Sequence, residues 1–153
     1  MPAPTAPATD ADLHSVRALF EDHRLAWGDA DAYGSHFTED ADYVTFFGGR
    51  LIGREAVVEG HRGLFDGVLK GSRLYAEITA ADFPAPGVAL VHARGGVLKG
   101  RARRPSRRAL SVQTYVMVRG ADGRWRIRAF QNTRLRPRVE ALSNRLAARA
   151  AKG

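Results

Sequence analysis

The feature that most constrains this chain is its division into a helix-patterned first half and a second half built almost wholly of long strand-like runs. After Gly71 come Arg73 to Phe83, Val88 to Leu98, Ala109 to Arg119 and Arg124 to Thr133. Each is rich in β-forming residues and is bounded by turn formers. Before Gly71 the spacing is helical. Val16, Leu19, Phe20, His23 and Trp27 recur on one face of a helix that Asp10 or Asp12 can cap, and a short second helix from Asp29 or Asp31 turns Tyr33 and Phe37 inward. Asp42 to Phe47 meets Leu51-Ile52 across Gly48-Gly49-Arg50 as a hairpin, and a third helix over Arg54 to Leu69 gathers Val57, His61, Leu64, Phe65 and Val68 on one face. Helices first and a meander of strands afterwards predict an α+β fold, with a curved antiparallel sheet wrapped around three N-terminal helices.

The last hairpin can be registered from its turn, Gly120-Ala121-Asp122-Gly123. A four-residue turn pairs Val118 with Trp125, Val116 with Ile127, Thr114 with Ala129 and Val112 with Gln131, and that face is expected to point into the core. The opposite face would then carry Met117, Tyr115, Gln113, Phe130, Arg126, Arg128 and Asn132. These are types enriched at protein interfaces, so that face is expected to form a homodimer.

A chain of 153 residues has room for one domain. It divides into a disordered leader at 1–11, a folded domain at 12–134 and a basic helical tail at 135–153. With no cysteine there is no disulfide framework and no thiolate chemistry. No apolar run reaches the roughly 18 residues of a membrane span and no secretory pattern precedes the domain, so a cytoplasmic location without membrane contact is expected. Charge is lopsided: residues 1–93 carry 7 basic and 14 acidic side chains, and residues 94–153 carry 17 and 2. The basic loop at 101–108 and the tail raise nucleic acid as a partner, yet charge alone favours a solvated surface over a nucleic-acid site. No Gly-rich phosphate loop is present, which argues against a nicotinamide cofactor.

Several segments together carry a family resemblance: Phe37-Thr-Glu-Asp-Ala-Asp-Tyr-Val-Thr45, Gly53-Arg-Glu-Ala56 with Gly60-His61, Val88-Ala-Leu-Val-His92-Ala with Gly95-Gly96, and Asp122-Gly-Arg-Trp-Arg-Ile127 with Phe130-Gln-Asn-Thr133. Over about residues 13 to 134 the chain resembles the SgcJ/EcaC family of the nuclear-transport-factor-2-like superfamily, which also holds ketosteroid isomerase and the SnoaL-like polyketide cyclases. The resemblance implies a cone-shaped cavity, a dimer and a place in natural-product pathways, including enediyne polyketide clusters. Carried over residue by residue, the isomerase base falls on Thr45, its oxyanion Asp on Thr114 and its Tyr near His23, so the isomerase's own chemistry is not expected.

Between Asp82 and Glu140 the only carboxylate is Asp122, in a turn, which leaves proton transfer to histidine. His61, which the resemblance aligns with a pocket tyrosine, and His92, in phase with Leu90, are the candidate catalytic residues. His23, Trp27, Thr45, Phe46, Thr114 and Gln131 are the candidate substrate-binding residues, with Gln131 at the polar end to orient a ligand carbonyl or hydroxyl. Neither a cofactor nor a metal is expected, because the histidines have no i, i+3 or i, i+4 pairing and no carboxylate joins them. Two functions stand side by side. One is binding and transformation of a largely apolar polyketide-like intermediate by proton transfer, cyclisation or dehydration. The other is a non-catalytic carrier, self-protection or assembly module beside a pathway synthase.

Overall fold

The computed structural model describes residues 8–150. Helix α1 (Asp10–Leu25) opens with Thr9 as its N-cap: the Thr9 hydroxyl accepts from the Asp12 N–H and the Asp12 carboxylate accepts from the Thr9 N–H. Asp12 thus closes a capping box from inside the first turn, which corrects the expectation that an aspartate caps the helix itself. Val16, Leu19, Phe20 and His23 form the buried face of α1. Helix α2 (Ala30–Ser35) is capped by Asp29 and buries Tyr33, and α3 (Arg54–Asp66) buries Val57, His61 and Phe65.

Strands β1 (Phe37–Val44), β2 (Arg50–Ile52), β3 (Arg73–Ala85), β4 (Val88–Leu98), β5 (Ser111–Arg119) and β6 (Trp125–Arg134) make one sheet in the order β2-β1-β6-β5-β4-β3. All neighbours are antiparallel except β1 and β6, which run parallel. The α+β architecture expected from the residue pattern is the one observed, with the three helices packed on the inner face of the sheet. Helix α4 (Pro137–Ala150) follows and buries no residue.

The register of the last hairpin differs from the expectation, and two local causes account for it. Gly120 N–H donates to the Arg124 carbonyl, so the turn takes one more residue than a four-residue connection and Trp125 pairs with Arg119 instead of Val118. A one-residue offset exchanges the faces of a strand. Gln113, Tyr115 and Met117 therefore point inward and are buried, while Val112, Thr114, Val116 and Val118 face outward. The second cause is a bulge: Met117 pairs with Ile127 but Val116 pairs with Ala129, which leaves Arg128 as the extra residue. Trp125 and Ile127 point inward before it, and Phe130 after it. Tyr115, Met117 and Phe130, expected at a dimer surface, belong instead to the core.

Candidate functional site

The helices and the inner sheet face enclose a cavity of about 680 Å³ that opens between the end of β1, the α3 face and the loop before β5. Its body is aromatic and aliphatic, with Trp27, Tyr33, Tyr43, Phe46, Leu51, Leu64, Leu69, Tyr115 and Phe130 among its lining. Trp27 is held by an indole N–H donated to the Ser72 hydroxyl at 3.0 Å, and its ring stands edge-on to Phe65 and Tyr33. The polar lining gathers at one end, where Ser111, Gln113, Asn132, Arg134 and Arg108 sit at the start of β5 and the end of β6.

In the depth of the cavity His61 meets Tyr43. His61 Nδ1 lies 2.8 Å from the carbonyl of Val57, one helical turn earlier. A carbonyl only accepts, so Nδ1 carries the proton and Nε2 is the free acceptor. Tyr43 Oη, 3.3 Å away, donates to that nitrogen. Burial depresses the His61 pKa and keeps the imidazole neutral, while burial pushes the Tyr43 hydroxyl up to about 12. Near neutral pH the pair therefore holds a basic nitrogen and an O–H donor side by side.

Of the expected site residues, Trp27, Thr45, Phe46 and His61 line this cavity. The other four lie elsewhere. His23 is 1% exposed and stacked in the aromatic core, 4.1 Å from Tyr33 and edge-on to Phe37, and among the described residues neither of its ring nitrogens has a hydrogen-bond partner. Its pKa is driven well below the usual value, chiefly by desolvation. His92, Thr114 and Gln131 form one cross-strand row on the outer face, with His92 Nδ1 and Thr114 Oγ1 hydrogen-bonded at 3.2 Å. His92 thus stands on the opposite side of the sheet from His61, and the three imidazoles do not converge. Gln131 is exposed, and Asn132 takes the inward place the bulge denies it. Val116, expected to point into the core, shares the outer face; Ile127 is buried in the core but does not line the cavity.

Sequence reasoning passed over Tyr43, Gln113, Asn132, Arg108 and Arg134. For Tyr43 the signal was present, because Ala41, Tyr43 and Thr45 alternate toward the face that carries Thr45. For Gln113, Asn132 and Arg134 it was hidden by the turn and the bulge, and Arg108 sits in the loop before β5, which carries no periodic signal.

No family model matches the chain, and comparison with curated proteins finds no match. Solved structures do match. A domain of unknown function with a cystatin-like fold from Nostoc punctiforme is 28% identical, with 95% of this chain and 100% of that one covered at a TM-score of 0.75. An NTF-2-like protein of unknown function from Shewanella oneidensis is 18% identical, covering 79% and 98% at 0.66. A ketosteroid isomerase-like protein from Erwinia carotovora is 13% identical, covering 84% and 100% at 0.63. The curved six-stranded sheet closed over three helices is therefore the fold shared with these cystatin-like and NTF-2-like proteins.

Proposed function

We propose that the protein binds a small, largely apolar metabolite in this cavity and acts on it by proton transfer without a redox cofactor, in an isomerisation, cyclisation or dehydration. The observation that carries this is the Tyr43–His61 pair, set against an apolar cavity with its tautomer fixed by Val57. The reaction class needs one group to polarise a carbonyl or leaving hydroxyl and another to accept a carbon-bound proton. Tyr43 supplies the first and neutral His61 the second. Likeness in fold to a ketosteroid isomerase-like protein supports a reading of small-molecule binding or transformation. The resemblance to the SgcJ/EcaC family directs the search for the ligand toward polyketide and enediyne intermediates.

A second reading, a non-catalytic carrier or self-protection module, is favoured by the lack of any carboxylate among the residues lining the cavity. In either case we take the protein as a homodimer through the outer sheet face, where Val88, Leu90, Val116 and Val118 stand half-buried. Metabolite profiles decide between the functions. A strain lacking the gene accumulates an unprocessed intermediate if the protein is catalytic, and a His61→Ala copy fails to restore the product. If His61→Ala restores it fully, proton transfer by His61 is wrong.

A further inference from the structure

The polar end of the cavity has a charge. Arg108 and Arg134 both belong to the lining, no aspartate or glutamate does, and among the described residues neither arginine has a carboxylate within ion-pair distance. Six other arginines are ion-paired, among them Arg50 with Asp42, Arg62 with Asp31 and Glu59, and Arg126 with Asp122, while Arg138 and Arg145 of α4 are, among the described residues, as unpaired as Arg108 and Arg134; what sets these two apart is their place in the cavity lining. Asn132 shares the lining with Arg108 and Arg134, and among the described residues its buried Oδ1 has no hydrogen-bond partner. A buried polar atom left unpaired costs about 1–3 kcal/mol, so this end is built for a polar group that the protein does not itself provide.

We infer that the ligand bears an anionic head, a carboxylate or a similarly acidic oxygen, received by Arg108 and Arg134 at the mouth, with its apolar body running inward to His61. This rests on the cavity being the ligand site and names the chemical class that it takes. A guanidinium fork matches a carboxylate in a bidentate manner, and both side chains, exposed at the mouth, are free to turn onto an anion there, a contact that a neutral ligand does not offer. Asn132, turned about its terminal bond, presents either its NH2 to the anion or its carbonyl to a neighbouring hydroxyl.

The strand register also bounds the ligand's length. Phe130 pairs with Tyr43, and Arg134 lies four residues further along β6. At about 3.3 Å per residue the Arg134 backbone lies about 13 Å along the strand from the Phe130–Tyr43 pair, and the head lies at about that distance give or take the reach of the arginine side chain. The span suits an acid of two or three fused or linked rings, with its reactive carbon at the far end from the carboxylate.

Two dyes with one skeleton test the charge. 1-Anilinonaphthalene-8-sulfonate and N-phenyl-1-naphthylamine differ by the sulfonate, and fluorescence titration of the full chain gives both affinities. The expected result is that the sulfonate binds about tenfold tighter or better, since loss of a charge-assisted contact weakens binding by about that factor. Arg108→Gln/Arg134→Gln should abolish the preference and leave the neutral dye unchanged. Arg138→Gln/Arg145→Gln removes equal charge from α4 and should leave the preference intact. Equal affinities in the unaltered protein, or a preference that survives Arg108→Gln/Arg134→Gln, would overturn the anionic head while the cavity stands. Leu64→Trp narrows the mouth; if it weakens neither dye, binding is elsewhere and the cavity reading falls with the inference.

Discussion

Tyr43 Oη lies 3.3 Å from His61 Nε2, a long hydrogen bond between a β1 side chain and an α3 side chain. A contact of that length is readily exchanged for one to a ligand. Tyr43→Phe is therefore expected to fold with stability within about 1 kcal/mol of the unaltered protein, the net worth of one hydrogen bond. It should lower turnover of the metabolite by about tenfold or more while leaving the neutral naphthylamine bound. Thermal unfolding and a product assay check both halves, and unchanged turnover would remove Tyr43 from the proposed chemistry.

Acid should destabilise the protein before its carboxylates titrate. The His23 and His61 pKa values are both lowered in the folded state, first by desolvation. The unfolded chain then holds more protons below about pH 6.5. The stability that these groups contribute is complete above that pH and is lost as pH falls through their folded values. The melting temperature is expected to drop between pH 7 and pH 5, and His23→Met/His61→Gln should flatten the slope. An unchanged slope in the double variant would show that the imidazoles are not buried neutral.

His23 also offers a gain. Both of its ring nitrogens are buried without partners among the described residues, at a cost of about 1–3 kcal/mol. Methionine fills irregular apolar space without that penalty. His23→Met is expected to raise stability by about 1 kcal/mol at neutral pH, measured by denaturant midpoint at constant m-value. A loss of similar size would mean that an unseen partner satisfies the ring.

Gly96 holds the basic loop against the cavity. A Cβ there would stand 2.8 Å from the Ala109 carbonyl and 2.8 Å from Pro105 Cβ. Gly96→Ala should cost about 1–3 kcal/mol through overpacking and, by displacing the segment that carries Arg108, weaken binding of the sulfonate dye. Retained affinity would mean that the loop does not set the mouth.

The outer face gives the oligomer test. Sedimentation at micromolar concentration is expected to show twice the chain mass of 16.7 kDa, and Val116→Glu should return a monomer with unchanged circular dichroism. A monomer from the unaltered protein would rule the interface out.

What the sequence determined by itself was the set of elements and their order. Helical spacing in Val16, Leu19, Phe20 and His23, and alternation in the four runs after Gly71, are local patterns that survive in the fold because each segment has one buried face. His61 was legible for the same reason, being in phase with Val57 and Phe65 on one helix. The faces of β5 and β6 were decided by tertiary structure. A single extra residue at the Gly120–Arg124 turn and another at Arg128 moved Thr114 and Gln131 outward and brought Gln113 and Asn132 inward. A strand has a side-chain period of two, so one residue of slip reverses every side chain beyond it, and only the packing of Tyr115, Met117 and Phe130 into the core chooses between the registers. That same choice turns Arg134 to the cavity mouth, while Arg108 reaches it through a loop packed on Gly96 of β4, segments too distant in sequence for any local pattern to join.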